Sequence, residues 1–178
     1  MSAPPLAMSF NVENTLEETQ VAPKSSSNSI SLVGAVDEEA LLVASTFPIA
    51  PNDLITRAKE VLNPAIKLGM ADQGECLADD FEFVAAVVGP IGKEDYLGAL
   101  GSFKLEDSFE IEPNFFGFSV DPLQTNRVWF FNRQQAKHIA PFMGAKPTGK
   151  TLVLPPQAYH IDFNEDGKIK EFGFYTVD

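Results

Sequence analysis

Alternating apolar and polar positions near the end of the chain predict a long β-hairpin. The turn-forming segment Asn164-Glu165-Asp166-Gly167 separates two such runs, and its Asp-Gly pair supplies the positive φ that a tight turn needs. If Phe163 and Lys168 flank this turn, the strands are antiparallel and His160 lies opposite Glu171. The two strands should form the centre of a curved sheet.

The same alternation assigns the side chains of this hairpin to two faces. The apolar face comprises Tyr159, Ile161, Phe163, Phe172 and Phe174. The more polar face comprises Ala158, His160, Asp162, Ile169, Glu171 and Gly173. The pattern therefore predicts that one face of the hairpin packs in a core and that the other carries titratable groups.

The turn also matches the first half of a calcium-binding EF-hand loop. Asp162, Asn164, Asp166 and Gly167 fit that motif, but its twelfth position requires a bidentate Glu, and Gly173 stands there. The hairpin is the favoured interpretation, and no metal site is expected.

Upstream of the hairpin, the period of the apolar residues changes from helical to strand-like. Asn52 is predicted to cap a helix whose apolar residues are Leu54, Ile55, Ala58, Val61, Leu62 and Ala65. A strand over 81–87 and a second helix opening at 92–95 follow. Strands are then predicted over 115–120 and 128–133, with loops over 107–113 and 134–150. Trp129, Phe131 and Arg133 should share one face.

This order of elements predicts an α+β fold with N-terminal helices packed on a strongly curved antiparallel sheet. Residues 1–50 differ from the rest because they contain stretches rich in Ser and Pro. We predict an extended, partner-docking arm over 1–50 and one folded domain over 51–178. Asp37 is expected to cap a short helix within the arm.

The net charge of −12 disfavours nucleic acids and anionic membrane surfaces as partners. One Cys excludes an internal disulfide, and two His with one Cys are too few for a typical transition-metal site. No cofactor is expected. No apolar run approaches the length of a membrane-spanning helix.

Three segments resemble the SnoaL-like proteins, which belong to the cone-shaped superfamily of ketosteroid isomerase and nuclear transport factor two. They are Leu77-Ala78-Asp79-Asp80-Phe81-Glu82-Phe83, the loop Phe142-Met143-Gly144 with Pro147-Thr148-Gly149-Lys150, and Asp166-Gly167-Lys168-Ile169 with Glu171. The resemblance implies an apolar pocket inside the cone and, in many relatives, dimerisation through the open face of the sheet. It leaves function open, because this fold hosts isomerases, cyclases, dehydratases and non-catalytic modules.

The proton-handling positions that the resemblance implies are not conserved in this chain. Gly89 stands where ketosteroid isomerases have an Asp base, and Phe174 stands where SnoaL-type cyclases have an Asp. The strand histidine of those cyclases corresponds to Asp162, or to His160 if the turn is longer by two residues. His138 occupies the position of a loop histidine in many relatives.

Two readings of the titratable residues stay open. As an acid–base site, His160 or Asp162 would be the base and Tyr96 or His138 the donor. As structural groups, His160 and Glu171 would form a cross-strand pair. Ligand-binding residues inside the cone are predicted to be Trp129, Phe131, Arg133, Phe172 and Phe174.

The missing bases favour a non-catalytic binding or assembly module. Residues 6–10 resemble the end of an algal plastid-targeting leader, so an accessory subunit of a photosynthetic plastid complex is one expectation, with a cytoplasmic location as the alternative. The alternative function is an isomerase, cyclase or dehydratase for a small hydrophobic substrate. Expected partners are a protein bound through residues 1–50, a hydrophobic ligand in the cone, or a second copy in a homodimer.

Overall fold

A computed structural model describes residues 32–86, 88–102 and 104–176 of the chain. Contacts group the chain into two units, Met1–Ala35 and Val36–Asp178. In the first unit, the described residues form a turn in which the Ala35 amide donates to the Leu32 carbonyl. Every other element lies in the second unit. The predicted domain boundary at residue 50 stays a prediction.

Three α-helices occur among the described residues: α1 (Glu38–Val43), α2 (Pro51–Leu62) and α3 (Lys93–Ser102). Asp37 caps α1 as predicted, because its side chain accepts from the Ala40 amide. The predicted cap of α2 is wrong, since Ala50 is the N-cap and Pro51 starts the helix, where its missing N–H costs nothing. Short 3₁₀ turns span Lys67–Gly69 and Leu105–Asp107.

The described strands form two sheets. In chain order they are β1 (Leu77–Ala85), β2 (Ile91–Gly92), β3 (Phe109–Glu112), β4 (Phe115–Val120), β5 (Arg127–Asn132), β6 (Gln135–His138), β7 (Thr151–Val153), β8 (Gln157–Phe163) and β9 (Ile169–Thr176). The larger sheet has the order β2-β1-β9-β8-β5-β4, and the smaller has the order β3-β6-β7. Only the β1–β9 pair is parallel among the described strands.

The second sheet corrects two loop predictions. The predicted loop over 107–113 contains β3, and the predicted loop over 134–150 contains β6, which pairs with both β3 and β7. β6 and β7 are four and three residues long and show no apolar alternation, whereas β3 does alternate but over only four residues, which is too short to identify a strand.

The β8–β9 hairpin forms as predicted, but its register differs. A bulge between Asp162 and Phe163 places Asp162 opposite Glu171 and His160 opposite Gly173. The predicted pairing of His160 with Glu171 was therefore displaced by two residues. The bulge also turns Ile169 to the apolar face, where it is fully buried in the core.

One face of the large sheet, the inner face, packs against α2 and α3. Leu54, Ala58 and Val61 on α2 are fully buried, as α2 periodicity predicts. They share a core with sheet residues Val128, Phe130, Ile161 and Phe172. Each fully buried Leu or Ile contributes about 2 kcal/mol to folding. The predicted faces of β5 and β8 are confirmed, and the curved α+β architecture follows from this packing.

No helix in the described part of the chain combines the length and apolarity that a membrane crossing would require.

Candidate functional site

The densest cluster of titratable groups lies on the outer face of the large sheet, opposite the core. Arg127, Asp162 and Glu171 form one row across β5, β8 and β9. Arg127 Nε and Nη2 donate to the two Asp162 oxygens at 2.5 and 2.7 Å, and Nη2 also donates to Glu171 Oε1 at 3.0 Å. Bidentate contacts of this kind are the strongest hydrogen-bonded ion pairs in proteins. We call these three residues with His160 the Arg127 cluster.

His160 lies in the next row and is 0% exposed. Its Nε2 is 2.7 Å from Glu171 Oε1, a contact that crosses diagonally between adjacent rows. The imidazole is enclosed by the Trp129 ring, with centroids 5.2 Å apart, and by the Tyr175 ring at 5.8 Å. The cross-strand pair predicted from the sequence therefore exists, although the backbone register that was expected to create it does not.

Gly173 leaves the space that the imidazole occupies. A Cβ at this position would overlap the His160 ring, and it would lie 2.9 Å from Val84 Cγ2. Only Gly fits opposite a buried His in this row.

Burial lowers the pKa of His160, and the Arg127 charge lowers it further, while the hydrogen bond to Glu171 opposes both effects. The imidazole is therefore neutral at neutral pH. With Nε2 donating to the Glu171 carboxylate, Nδ1 is an acceptor, and it has no hydrogen-bond partner among the described residues. The hydrogen bonding to Asp162 and the negative charges of Asp162 and Glu171 raise the pKa of Arg127, which stays charged.

One ligand atom each from His160, Asp162 and Glu171 lies within 4.8 Å of the others, which is close enough to hold a metal ion. The Arg127 guanidinium already pairs with both carboxylates, and its single positive charge offsets one of their two negative charges. A cation would have to displace this guanidinium, so the cluster is built as an ion-pair network. The expectation of no metal stays a prediction.

The inner face presents aromatic rings instead of charges. Neighbouring ring centroids lie 4.9–5.9 Å apart along a continuous file, which passes through Phe81, Tyr96, Phe83, Phe172, Tyr159 and Phe130. Among the described residues, the buried titratable side chains His160 and Asp162 lie on the outer face, and buried His138 lies on the smaller sheet. The inner face therefore offers no buried acid–base pair within the described part of the chain.

Tyr96, a predicted donor, belongs to this inner file and not to the Arg127 cluster. Its hydroxyl donates to the Leu68 carbonyl at 3.3 Å, and burial raises its pKa well above the ordinary value. His160 and Asp162 are on the opposite face of the sheet. The structure thus brings His160 and Asp162 together and places Tyr96 on the other face of the sheet.

His138, the other predicted donor, lies on β6 in the smaller sheet and is buried. Its ring stacks on Phe109 at 4.9 Å, and its Nδ1 is 3.5 Å from Thr148 Oγ1. Its Nε2 has no hydrogen-bond partner among the described residues. The prediction that His138 lies in a loop is wrong, because β3 and β7 pair with its strand.

The predicted ligand-binding residues do not converge. Trp129 and Phe131 are on the outer face, whereas Phe172 and Phe174 contact the inner aromatic file. Arg133 follows β5 and is exposed. The prediction that Trp lines the cone interior is corrected: Trp129 covers His160 and donates from Nε1 to Asp121 Oδ2 at 2.9 Å.

Sequence reasoning missed Arg127, which connects the two carboxylates. The alternation along β5 does place Arg127 on the face of Trp129, and that signal was available. Recognising its partners would have required the bulge that sets Asp162 opposite Glu171.

No protein-family model matches the sequence, and no curated protein matches it. Solved structures do match. A protein proposed to be a polyketide cyclase from Xanthomonas campestris pv. campestris is 19% identical with a TM-score of 0.52, covering 70% of this chain and 87% of its own. A second protein proposed to be a polyketide cyclase, from Pseudomonas putida KT2440, is 15% identical with a TM-score of 0.50, covering 74% and 92%.

An LEH-like epoxide hydrolase from M. tuberculosis is 12% identical with a TM-score of 0.51, covering 71% of this chain and 84% of its own. Identities this low establish the fold and leave the chemistry open. The chain shares the fold of these solved structures, and its helices pack on a curved antiparallel sheet, as its sequence predicted.

Proposed function

We propose that this chain is a non-catalytic SnoaL-like binding or assembly module. The observation that carries this proposal is that the titratable cluster and the apolar interior lie on opposite faces of the large sheet. The buried imidazole–carboxylate pair is on the outer face of the sheet, and the inner face presents aromatic rings. A general base must lie within hydrogen-bond reach of the proton that it removes. A substrate on the inner face could not reach His160 through the sheet.

The two positions at which the family resemblance implies a catalytic Asp, Gly89 and Phe174, also hold no carboxylate. At Gly89, φ is +110°, and a Cβ would lie 2.5 Å from the Phe83 carbonyl oxygen. The backbone there admits no carboxylate side chain. At the other position, the Phe174 ring packs 5.9 Å from Phe83 and 5.8 Å from Tyr159. Gly89 therefore serves the connection between β1 and β2, and Phe174 serves the aromatic packing.

Turnover assays test this proposal. We would incubate the chain with an enolisable polyketide-type ketone, a β,γ-unsaturated ketone and an epoxide, each at saturating concentration. The expected result is no rate above that of His160→Ala or of buffer. A rate that His160→Ala or Tyr96→Phe reduces at least a hundredfold would sink the proposal, because general acid–base groups contribute about 10²–10⁴-fold.

A second candidate function is acid–base catalysis on the outer face. One observation favours it: His160 is neutral, oriented by Glu171 and has a free acceptor at Nδ1. Trp129 and Tyr175 cover the ring, so a substrate would require one of them to move. The test is inactivation by a His-directed reagent: protection by a bound ligand together with loss of turnover would support this candidate over the module.

Protein partners have two candidate surfaces. The outer face carries exposed rings, in which Phe131 is 40% exposed and stacks on Phe116 at 5.6 Å. This is the face that would form the expected homodimer, and Phe131→Glu should then yield a monomer.

The predicted arm is the second surface, of which residues 1–31 lie outside the described residues. Unchanged partner capture after deleting residues 1–31 would exclude it.

The finer form of the proposal is an accessory subunit of a photosynthetic complex in an algal plastid. It is supported only by the leader-like residues 6–10. Microscopy of a fluorescent fusion in an algal cell tests it, since a cytoplasmic signal would remove the plastid from the proposal.

A further inference from the structure

The charges of this chain are segregated along its sequence. All 25 Asp and Glu residues lie outside residues 122–161, although the chain has 178 residues and a net charge of −12. This acid-free stretch contains five of the basic residues, namely Arg127, Arg133, Lys137, Lys146 and Lys150. In an acidic protein, a cationic segment of one copy can be attracted electrostatically to the acidic surface of another copy.

Residues 139–150, which we call the cationic loop, present this segment to solvent between β6 and β7. The loop closes at its tip, where the Phe142 and Ala145 amides and carbonyls pair reciprocally. Its base is fixed because the Gly149 amide donates to the His138 carbonyl. Met143 is 87% exposed at the tip. Lys146 and Lys150 are exposed, and neither ammonium forms an ion pair with any described residue.

A complementary groove of about 740 Å³ lies between α1 and the start of α2. We call it the acidic groove. Its apolar floor includes Leu42, Val43 and Phe47, and Val43 is 82% exposed. Its rim carries Glu38 and Glu39, which form no ion pair within the described part of the chain. An apolar side chain flanked by cations matches this surface.

We propose that the acidic groove of one copy of this chain binds the cationic loop of a second copy. Met143 would cover Val43 and the groove floor, and Lys146 and Lys150 would pair with Glu38 and Glu39. Residues 1–31 carry Glu13, Glu17 and Glu18 against one Lys24, so their net charge has the same sign as the groove and does not complement it. The inference does not depend on whether the cone is catalytic.

The contact should be weak and sensitive to salt. One loop in one groove buries less than the roughly 1,200 Å² of a standard interface, so a dissociation constant of about 10–100 µM is expected. The loop and the groove are different surfaces, so the contact is heterologous. In a head-to-tail arrangement the contact adds copies into longer chains, whereas two copies that exchange loops reciprocally use it twice and close into an isologous dimer.

Sedimentation velocity of the full chain, from about 1 to 500 µM, tests the proposal. The average mass should rise with concentration at about 50 mM NaCl and fall toward the monomer at about 500 mM, where exposed charges are screened. Lys146→Glu/Lys150→Glu and Glu38→Lys/Glu39→Lys should each weaken association at least tenfold, because loop and groove then carry the same sign. A 1:1 mixture of the two variants should associate again, as should the chain that carries all four substitutions.

Lys104→Glu/Lys170→Glu is the matched control, since it makes the same charge change at exposed lysines that line neither the groove nor the loop, and it should associate like the wild type. Circular dichroism would establish that each variant is folded.

A wild type that stays monomeric up to 500 µM would overturn the proposal. So would association that survives both charge reversals and is lost in Phe131→Glu, which would assign the contact to the outer face. Anionic-vesicle binding by a monomeric wild type that Lys146→Glu/Lys150→Glu abolishes would reassign the loop to a membrane surface.

Discussion

His160 and Gly173 are directly opposed in the β8–β9 pair, and each restricts what the other can be. The imidazole fills the space above Gly173, so a methyl group there would collide with the ring and with Val84. Gly usually destabilises a strand, because it increases the backbone entropy that the unfolded chain loses on folding and has no side chain that could pack. Here the ring of the opposite residue supplies the missing packing.

Gly173→Ala should therefore lower the free energy of unfolding by about 1–3 kcal/mol, the usual cost of overpacking. Urea denaturation measures it. Gly98→Ala is the matched control, because Gly98 is exposed on α3 with no atom within 4 Å of a Cβ, and Ala there should add about 0.5–1 kcal/mol. His160→Ala/Gly173→Ala should lose less than the sum of the single changes. Additive losses would mean that the ring does not occupy this space.

The lowered pKa of His160 predicts an acid-sensitive contribution to stability. The unfolded chain takes up the proton first, at its ordinary pKa of about 6.5, so the free energy of unfolding is unaffected above that pH. It should fall as the pH drops from 6.5 toward the folded pKa and then level off. His160→Gln keeps a donor for Glu171 without titrating. The difference between wild type and this variant, from urea titrations at about pH 5–8, isolates the effect. A difference that grows in favour of the wild type on acidification would show that Glu171 dominates instead.

At the scale of the elements, Arg127 joins three strands. Its guanidinium contacts Asp162 on β8 and Glu171 on β9, and it is the cation that both carboxylates share among the described residues. Such a network fixes register, because a shift of one residue would move these groups to the inner face. The bulge that aligns Asp162 with Glu171 is what completes the row.

Arg127→Leu should lower the free energy of unfolding by about 3–5 kcal/mol, since it leaves two carboxylates without their partner. Lys170→Gln on β9 removes an exposed pair with Asp80 at 3.4 Å and should change stability by less than about 1 kcal/mol. Chemical denaturation of both variants gives the comparison. Arg127→Leu/Asp162→Leu should recover part of the loss, and equal losses for Arg127→Leu and Lys170→Gln would contradict the network.

How much of this the sequence could predict depends on the length and periodicity of each element. The apolar content of β4, β5 and β8 predicted these strands, the alternation of β5 and β8 predicted their faces, and the period of α2 predicted its buried residues. β6 and β7 escaped because Gln135 to His138 and Thr151 to Val153 are too short to show a period. No local feature of the sequence indicates the bulge. The sequence therefore assigns His160, Asp162 and Glu171 to the correct face of the sheet, but it does not predict which of them lie opposite one another. Arg127 was missed for the same reason.

At the scale of the whole molecule, an excess of acidic groups is combined with an acid-free segment. Added salt should weaken two electrostatic effects that act in opposite directions. Screening the net charge of −12 should relieve repulsion within each monomer, whereas it should weaken attraction between the cationic loop of one copy and the acidic groove of another. Stability and association are therefore expected to respond to NaCl in opposite directions.

The stability half of this expectation can be measured where association is absent. At about 2 µM and pH 7, raising NaCl from about 10 to 200 mM should increase Tm by a few degrees, because the Debye length falls from about 30 Å to less than 10 Å. Glu75→Gln/Glu165→Gln removes two exposed acids that form no ion pair among the described residues. Its Tm should be higher at low salt and should respond less to NaCl. A wild-type Tm that falls with salt would instead mean that attractive surface pairs outweigh the repulsion, and charge segregation would then stabilise the monomer itself.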